Sequence, residues 1–324
     1  FLKQLAKEDF AFLQEKLHKF KGFYIQKRSI RNYPIASAAN ILGYISEVQE
    51  SELQKNNKFQ QGELIGKTGI EKSYDSVLRG IKGKKYLDRD RLNKVIGAFK
   101  KGSYDTVAQN GQDITLTIDS RLQQYGESLM AGKRGAIVAI EPSTGEILAL
   151  ISAPTYDPNM MIGRQRASNS VILMDNRNLD KPMFDRGLQA TYSPGSPFKI
   201  INALIGLQED VINESSSVFC YGGYQYGNRK SAFQKCHCGI YGKPIRLHTA
   251  IAKSCNSYFS TAYRKIIDKA KNASIGTDNW SNHVKSFGLG NYLGYDLPTG
   301  NPGSIPNGKY YDSRNNFRWG ATTT

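Results

Sequence analysis

The stretch TYSPGSPFKI, residues 191–200, places one serine three residues before one lysine, with two prolines and a glycine around the serine. Pro197 suits the first position of a helix, which the apolar spacing of the following residues predicts. Lys199 would then share a helix face with Ser196. A neutral lysine can take a serine proton, and a helix start can stabilise an oxyanion. The stretch predicts a serine nucleophile with a lysine base; the plain alternative is an N-cap serine beside a solvated lysine.

A second polar motif follows in AIAKSCNSYF, where Ser254, Cys255 and Asn256 precede another run with helical spacing. A hydroxyl on the far side of a serine–lysine pair can relay a proton to the leaving group, and an amide can hold the lysine and the substrate. We therefore expect Ser254 and Asn256 to join Ser196 and Lys199 in one catalytic site. Cys255 is interpreted as a small packing residue.

The patterns along the chain divide it into two predicted domains, residues 1–112 and 113–324. The first starts with helical spacing and continues as short, glycine-broken segments of mixed helix and strand; its helical positions are Leu2, Leu5, Phe10, Leu13 and Leu17. The second starts with a predicted strand at 114–119 and a helix that Asp119 or Ser120 would cap. The stretch GAIVAIEPSTGEILALISAP then predicts a β-hairpin.

The chain is strongly basic, with 44 Lys and Arg against 28 Asp and Glu and a formal net charge of +16. The basic residues are spread along the chain and are densest in its first third, so an anionic membrane surface or cell-wall polymer explains them as well as nucleic acid does. We expect no nucleic-acid partner. No apolar run reaches the roughly 18–20 residues that span a bilayer, so we expect any membrane anchor to lie outside the given sequence.

Several longer phrases occur together in one order. They are YPIASAANILGYISEV and IGKTGIEKSYDSVLRG, followed by LTIDSRLQQY, GAIVAIEPSTGEILALISAPTYDPN, YSPGSPFK and SCNSYF. From residue 31 onward the chain resembles the class B penicillin-binding proteins, most closely their elongation type. The resemblance implies an α+β protein with an N-terminal mixed α/β pedestal domain over 1–112. Over 113–324 it implies a penicillin-binding transpeptidase domain, an antiparallel sheet with helices on both sides.

The resemblance also implies a function. It implies a peptidoglycan D,D-transpeptidase that cross-links stem peptides through an acyl-enzyme on Ser196, is inhibited by β-lactams and needs no cofactor for catalysis. The implied partners are a membrane-embedded glycan polymerase and elongation scaffold proteins, at the periplasmic face of the cytoplasmic membrane. Alternatives are a catalytically silent penicillin-binding or scaffold protein and a division-specific class B transpeptidase. A β-lactamase or carboxypeptidase would not need the pedestal domain.

The third family motif, K-[ST]-G on a strand after the second motif, is not found in that part of the sequence. Lys67, Thr68 and Gly69 spell it, but inside a pedestal-type phrase, where we interpret them as a structural turn. Residues 113–324 are short for a complete domain of this type. We therefore expect the given chain to stop before the true motif and to lack half of its oxyanion hole and its carboxylate anchor.

Three cysteines and a histidine, Cys220, Cys236, His237 and Cys238, lie between the two catalytic motifs. Three thiols and an imidazole can bind zinc, and the resemblance supports this because some elongation-type members bind zinc here with other ligands. Against it, the C-x-C spacing is tight and His237 would point away in an extended segment. The alternatives are a disulfide from Cys220 to Cys236 or Cys238, or no special role. We predict a structural zinc held by all four residues.

Overall fold

Strand pairing in the computed structural model is antiparallel throughout the described residues, which are 7–20, 22–23, 30–55, 59–92, 94–227 and 229–314. Five two-stranded ladders occur there, interspersed with short helices. The chain forms two compact units, one of residues 1–190 with 295–300 and one of residues 191–294 with 301–324. The predicted domain boundary between 112 and 113 stays a prediction, because one compact unit can contain parts of two domains.

The first unit combines short helices with three hairpin-like strand pairs. Its helices are α1 (Lys7–Gln14), α2 (Ala39–Leu42), α3 (Glu50–Lys55), α4 (Gly69–Ser73), α5 (Asp75–Leu78), α6 (Ser120–Leu129), α7 (Arg166–Met174) and α8 (Arg186–Gln189). Its strands are β1 (Ile45–Glu47), β2 (Leu64–Gly66), β3 (Leu87–Arg89), β4 (Val95–Ala98), β5 (Gly135–Ile140) and β6 (Ile147–Ala153). Leu2 and Leu5 of the predicted first helix lie outside the described residues.

The β5–β6 hairpin forms as the sequence predicts, with Gly135 paired to Ala153 at its open end. The buried Gln123 of α6 ties the helix to β6, because its Oε1 accepts from the Leu150 N–H at 2.9 Å and its Nε2 donates to the Leu150 carbonyl at 3.0 Å. Asp119 caps α6, as predicted, by accepting from the N–H groups of residues 121 and 122.

The strand predicted at 114–119 does not form, so that prediction was wrong. Its alternate apolar side chains do pack against a buried cluster of the first unit. Its contacts with β6 are few: the Asp119 N–H donates to the Leu148 carbonyl at 2.9 Å, and the Thr117 hydroxyl donates to the Ile147 carbonyl at 2.7 Å. The alternation indicated the buried face correctly, but the segment lacks the repeated backbone pairing of a strand.

Lys67, Thr68 and Gly69 form the link between β2 and α4, in agreement with a structural turn. Lys67 pairs with Glu52, and its N–H donates to the Tyr44 carbonyl at 2.9 Å. Gly69 has a φ of +57°, and a side chain there would overlap the backbone of α2. Local packing therefore accounts for this K-T-G sequence.

The second unit contains both predicted catalytic motifs. Its helices are α9 (Phe198–Gln208), α10 (Leu247–Ala252), α11 (Asn256–Asp268), α12 (Ala273–Ser286) and α13 (Gly308–Arg314), and its strands are β7 (Ser217–Phe219), β8 (Gly223–Gln225), β9 (Phe233–Lys235) and β10 (Pro244–Arg246). β7 pairs with β10, and β8 pairs with β9. None of the helices in the described ranges is long and apolar enough to cross a membrane.

Aromatic packing fixes α9 against α11 and α12. Trp280 of α12 contacts the rings of Phe198 and Tyr263 edge-on, with centroid distances of 6.0 and 5.3 Å, and its indole N–H donates to Asn202 at 2.9 Å. Edge-to-face pairs of this kind each add about 0.5–1.5 kcal/mol beyond the area they bury. The first turn of α9, which contains Lys199, is therefore anchored next to a rigid core.

Gly276 tests this packing, because α12 approaches α11 so closely that an added Cβ would overlap the Ile267 carbonyl. Gly276→Ala should lower the free energy of unfolding by about 1–3 kcal/mol. The control Gly97→Ala adds a Cβ with no atom within 4 Å and should change it by less than about 0.5 kcal/mol. Denaturant unfolding measures both, and equal stabilities would contradict the close approach.

Candidate active site

Ser196 lies exposed in the turn that leads into α9. Gly195, with a φ of +64°, lets the chain turn there, and the Lys199 N–H donates to the Ser196 carbonyl at 3.0 Å. The helix begins at Phe198, one residue after the Pro197 start that the sequence predicts. Lys199 therefore lies in the first turn of α9, with its Nζ 3.2 Å from Ser196 Oγ.

The second motif occupies the link between α10 and α11, and Asn256 is the first residue of α11. Ser254 has a φ of +50°, in the left-handed region that residues with side chains adopt uncommonly. Its N–H donates to the Ile251 carbonyl at 3.0 Å, which closes the end of α10. The left-handed turn presents both the carbonyl and the hydroxyl of Ser254 to one partner, the Lys199 amine.

The Lys199 amine is the point where the two motifs meet. Its Nζ lies 2.6 Å from Asn256 Oδ1 and 2.9 Å from both the carbonyl oxygen and the Oγ of Ser254. The Ser254 hydroxyl lies 3.0 Å from Ser196 Oγ. The structure thus brings Ser196, Ser254 and Asn256 within hydrogen-bond reach of Lys199, and their catalytic roles stay predictions.

These contacts leave a neutral amine able to act as a base. Asn256 Oδ1 and the Ser254 carbonyl can only accept, so they use two N–H groups of Lys199. A neutral amine then keeps one lone pair to accept a hydroxyl proton from Ser196 or Ser254. Burial lowers the pKa of Lys199, although Cys236 and Cys255 act in the opposite direction. The arrangement can therefore provide a general base.

Four cysteine sulfurs lie within 4.8 Å of one another and form what we call the thiol cluster: Cys220, Cys236, Cys238 and Cys255. Cys220 directly follows β7, and Cys236 directly follows β9. Cys255 belongs to the second motif itself. None of the four is more than 7% exposed, and none forms a disulfide.

The thiol cluster fits a structural zinc ion. Four thiolates around a tetrahedral zinc at about 2.3 Å would have sulfurs about 3.8 Å apart. In the structure, Cys238 Sγ lies 3.7 Å from Cys220 Sγ, and Cys236 Sγ lies 3.8 Å from Cys255 Sγ. Buried thiols gathered in this way are a complete ligand set with no open position.

The charges that the thiol cluster can hold also fit a cation. Burial opposes the ionisation of Cys236, but the N–H groups of Ser257, Cys238 and Asn256 outweigh it and lower the pKa of that thiol to about 6. Burial raises the pKa of Cys255 to about 12. Cys236 therefore forms a thiolate more readily than Cys255, and a neighbouring cation would favour ionisation of both.

The observed cluster differs from the predicted ligand set. His237 is exposed and lies outside it, because the alternation along the extended C-H-C segment turns its side chain away from both flanking thiols. Cys255, interpreted from the sequence as a packing residue, is buried and supplies the fourth sulfur. Its only sequence signal was its place inside the second motif, because the start of α11 and the end of β9 meet only through tertiary packing.

A cleft of about 510 Å³ opens beside Lys199 and Asn256, within the second unit. The β8–β9 hairpin and α11 form its walls, and its aromatic lining consists of Tyr224, Tyr226, Phe233, Phe259 and Tyr263. Clefts of this size and character are typical of ligand sites. The Lys199 amine is therefore accessible from a space large enough for a substrate group.

A family model described as the penicillin-binding protein transpeptidase domain matches residues 135–324, and one described as the penicillin-binding protein dimerisation domain matches residues 1–116. The chain belongs to the penicillin-binding protein family. The order of the two models confirms the predicted α+β fold class, in which an N-terminal pedestal domain precedes a transpeptidase domain.

Curated relatives and solved structures support the resemblance to penicillin-binding proteins that the sequence indicates. The peptidoglycan D,D-transpeptidase MrdA of Acinetobacter baumannii is 30% identical over 97% of this chain and 45% of its own length. Penicillin-binding protein 2 (PBP2) of Helicobacter pylori, solved in complex with MreC, has a TM-score of 0.82 at 26% identity, covering 98% of this chain and 57% of that one. Pseudomonas aeruginosa PBP2, solved in complex with WCK 5153, has a TM-score of 0.71 at 31% identity. The match covers 90% of this chain and 57% of that one. The chain spans about half the length of the curated relatives it matches.

Proposed function

We propose that the protein is a peptidoglycan D,D-transpeptidase of the elongation type, which cross-links stem peptides through an acyl-enzyme on Ser196. The observation that carries this proposal is the position of the Lys199 amine, 3.2 Å from Ser196 Oγ, 2.9 Å from Ser254 Oγ and 2.6 Å from Asn256 Oδ1. Membership of the transpeptidase family and the similarity to MrdA support the reaction class.

In the first half-reaction, Ser196 Oγ attacks the carbonyl of the penultimate D-alanine while Lys199 Nζ takes the hydroxyl proton. The intermediate collapses by breaking the peptide bond to the terminal D-alanine. That amine leaves with a proton relayed from Lys199 through Ser254, whose Oγ lies 2.9 Å from the lysine and 3.0 Å from Ser196 Oγ. In the second half-reaction, an amine of a neighbouring stem peptide attacks the ester and loses a proton to Lys199, and Ser196 regains its hydroxyl proton.

β-Lactams would inhibit this enzyme at the same serine. Their strained amide takes the place of the D-alanyl peptide bond, and Ser196 Oγ opens the ring to form an ester. The part of the inhibitor that would leave stays covalently attached, so it blocks the approach of the acceptor amine. Covalent labelling by penicillin is therefore a direct measure of the first half-reaction.

The setting of the enzyme is part of the same proposal. Residues 1–112 would form the pedestal and residues 113–324 belong to the catalytic domain, at the periplasmic face of the cytoplasmic membrane. The H. pylori PBP2 structure with MreC supports an elongation scaffold protein as a partner, and a membrane-embedded glycan polymerase would be a second. The net charge of +16 suits anionic surroundings such as the cell wall.

Ser196→Ala in the full-length protein should abolish covalent labelling by fluorescent penicillin. The change removes one exposed hydroxyl at a helix start and should cost at most about 1–2 kcal/mol of stability, so the fold should persist. Ser193→Ala, in the same exposed segment, should label at the rate of the unmodified protein. Labelling that survives Ser196→Ala would exclude this serine, and no labelling of the unmodified protein would favour a catalytically silent scaffold.

Lys199→Ala should lower the rate of penicillin acylation by about 100-fold or more, because the serine loses its general base. Lys67→Ala is the matched control, since Lys67 pairs with Glu52 in the other compact unit. Its acylation rate should stay within a factor of two of the unmodified protein. If Lys67→Ala slowed acylation as much as Lys199→Ala in a folded protein, the K-T-G sequence at 67–69 would belong to the catalytic machinery.

We also propose that the thiol cluster holds one structural zinc ion. Its ligands would be Cys220, Cys236, Cys238 and Cys255, in place of the predicted set that contains His237. When bound, zinc would neutralise the thiolate charge and cross-link the ends of β7 and β9 to the start of α11. Catalysis would need no cofactor, since Ser196 and Lys199 supply the nucleophile and the base.

The ligand set is tested by elemental analysis of protein purified without chelator, which should find about one zinc per chain on this four-thiolate model. His237→Ala should retain the metal, because the imidazole lies outside the cluster. Cys255→Ser should lose most of it, because a serine hydroxyl is a poor zinc ligand. Metal loss in His237→Ala with retention in Cys255→Ser would restore the set predicted from the sequence.

A further inference from the structure

The four sulfurs of the thiol cluster are arranged as two close pairs. Cys220 and Cys238, the outer pair, lie 3.7 Å apart, and Cys236 and Cys255, the inner pair, lie 3.8 Å apart. These are the only four cysteines in the sequence, and all of them are free thiols. All four sulfurs lie within 4.8 Å of one another, and the two sulfurs of each pair are in contact, so a disulfide could form within each pair after a small movement.

The inner pair is joined directly to the proposed catalytic site. Cys255 lies between Ser254 and Asn256 in the chain, and Cys236 Sγ accepts the Asn256 N–H at 3.2 Å. The Asn256 side chain donates to the Lys235 carbonyl at 2.8 Å and accepts from the Lys199 amine at 2.6 Å. A change in the positions of Cys236 and Cys255 can therefore reach Lys199 through Asn256, and also through Ser254, which precedes Cys255 and contacts the same amine.

Within the part of the chain that the structure describes, the outer pair makes no hydrogen bond to Asn256 or Lys199. Cys220 Sγ lies 3.2 Å from the Ser257 hydroxyl, which donates to the Gly223 carbonyl at 2.9 Å. Cys238 Sγ also lies 3.9 Å from the Ile240 carbonyl. Joining Cys220 to Cys238 would therefore rearrange the loop after β9 without a direct effect on the serine and lysine.

We propose that the thiol cluster is an oxidation site, at which a disulfide oxidant converts it into a Cys236–Cys255 and a Cys220–Cys238 disulfide, and that the inner disulfide slows acylation of Ser196. The effect on acylation rests on the proposed function; the pairing of the cysteines does not. On this proposal the thiol cluster has two states, a reduced form that can bind metal and an oxidised form that cannot.

The chemistry is thiol–disulfide exchange. A thiolate of the cluster attacks a small-molecule or protein disulfide and forms a mixed disulfide, releasing one thiol of the oxidant. The neighbouring cysteine then attacks the protein sulfur of that mixed disulfide and releases the second thiol. Each pair of cysteines loses two electrons and two protons, and one oxidant disulfide is reduced to two thiols. A zinc ion would leave with the oxidation, because the thiolate ligands are consumed.

Access to the cluster is through the loop that follows β9. Cys238, at 7% exposed, is the least buried of the four thiols, and its neighbours His237 and Gly239 are exposed. Gly239 and Gly242 both have positive φ values, so the loop turns sharply at residues without side chains. An oxidant can therefore reach Cys238 first.

The length of the sulfur–sulfur bond determines how a Cys236–Cys255 disulfide would affect the catalytic site. A disulfide holds its sulfurs about 2.05 Å apart, so the inner pair must close by roughly 1.7 Å. The hydrogen bond from the Asn256 N–H to Cys236 Sγ would be distorted. The Asn256 side-chain amide, which holds Lys199, would shift with it. Misplacement of a catalytic group by about 1 Å can cost about 100-fold in rate.

The test uses the full-length protein, incubated with increasing ratios of oxidised to reduced glutathione. Alkylation of the remaining thiols and peptide mass mapping should find the Cys236–Cys255 and Cys220–Cys238 linkages, and a chromogenic chelator should detect zinc release in parallel. The acylation rate with fluorescent penicillin should fall by roughly 10- to 100-fold and recover on reduction. Any other pairing, such as Cys236 with Cys238, or no disulfide at the highest ratio, would overturn the proposal.

Two double variants separate the pairs, and each is compared with its own reduced form. Cys220→Ser/Cys238→Ser keeps the inner pair, and its acylation should slow on oxidation. Cys236→Ser/Cys255→Ser keeps the outer pair, and oxidation should leave its rate unchanged. An inner disulfide that forms without slowing acylation would overturn the coupling to the site. If the correct linkages form but the reduced protein is never acylated, the proposed function fails and the oxidation site stands.

Discussion

The contact between Lys199 Nζ and Asn256 Oδ1, at 2.6 Å, is the interaction on which the arrangement of the site depends. It joins the first turn of α9 to the first turn of α11, and these two helices pack along their lengths against a shared core. Because apolar packing fixes the two helices, small polar groups at their starts are held at defined distances. The same packing holds three oxygen atoms within 2.9 Å of the Lys199 amine.

The Asn256 amide is oriented as well as held. Its Nδ2 donates to the Lys235 carbonyl at 2.8 Å, so its oxygen must face the amine. Lys235 ends β9 and is followed by Cys236, whose sulfur accepts the Asn256 N–H. The end of one short strand therefore supports both the backbone and the side chain of a single site residue. A strand of three residues has little stability alone, which is a physical reason for a cross-link at its end.

The sequence predicted those features that depend on residues close together in the chain. The serine–lysine spacing predicted a shared helix turn, and the Asp119 cap and the β5–β6 hairpin follow from signals within a few residues. The segment at 114–119 shows the limit, since alternation indicates a buried face but not whether a neighbour offers a free backbone edge. Cys255 shows a second limit. Three thiols and the adjacent imidazole of His237 made a plausible ligand set in the sequence, whereas only the packing of α11 against β9 brings Cys255 to the other thiols.

The left-handed backbone of Ser254 explains why a serine suits this position better than a glycine. A left-handed φ of +50° costs a residue with a Cβ on the order of 1 kcal/mol. Glycine would remove that cost, but it has no hydroxyl. In this conformation the Ser254 carbonyl and hydroxyl both lie 2.9 Å from the same amine, and the hydroxyl also lies 3.0 Å from Ser196 Oγ. An extended backbone would direct the carbonyl and the side chain apart, so the strained turn is what lets one residue hold the base and bridge it to the nucleophile.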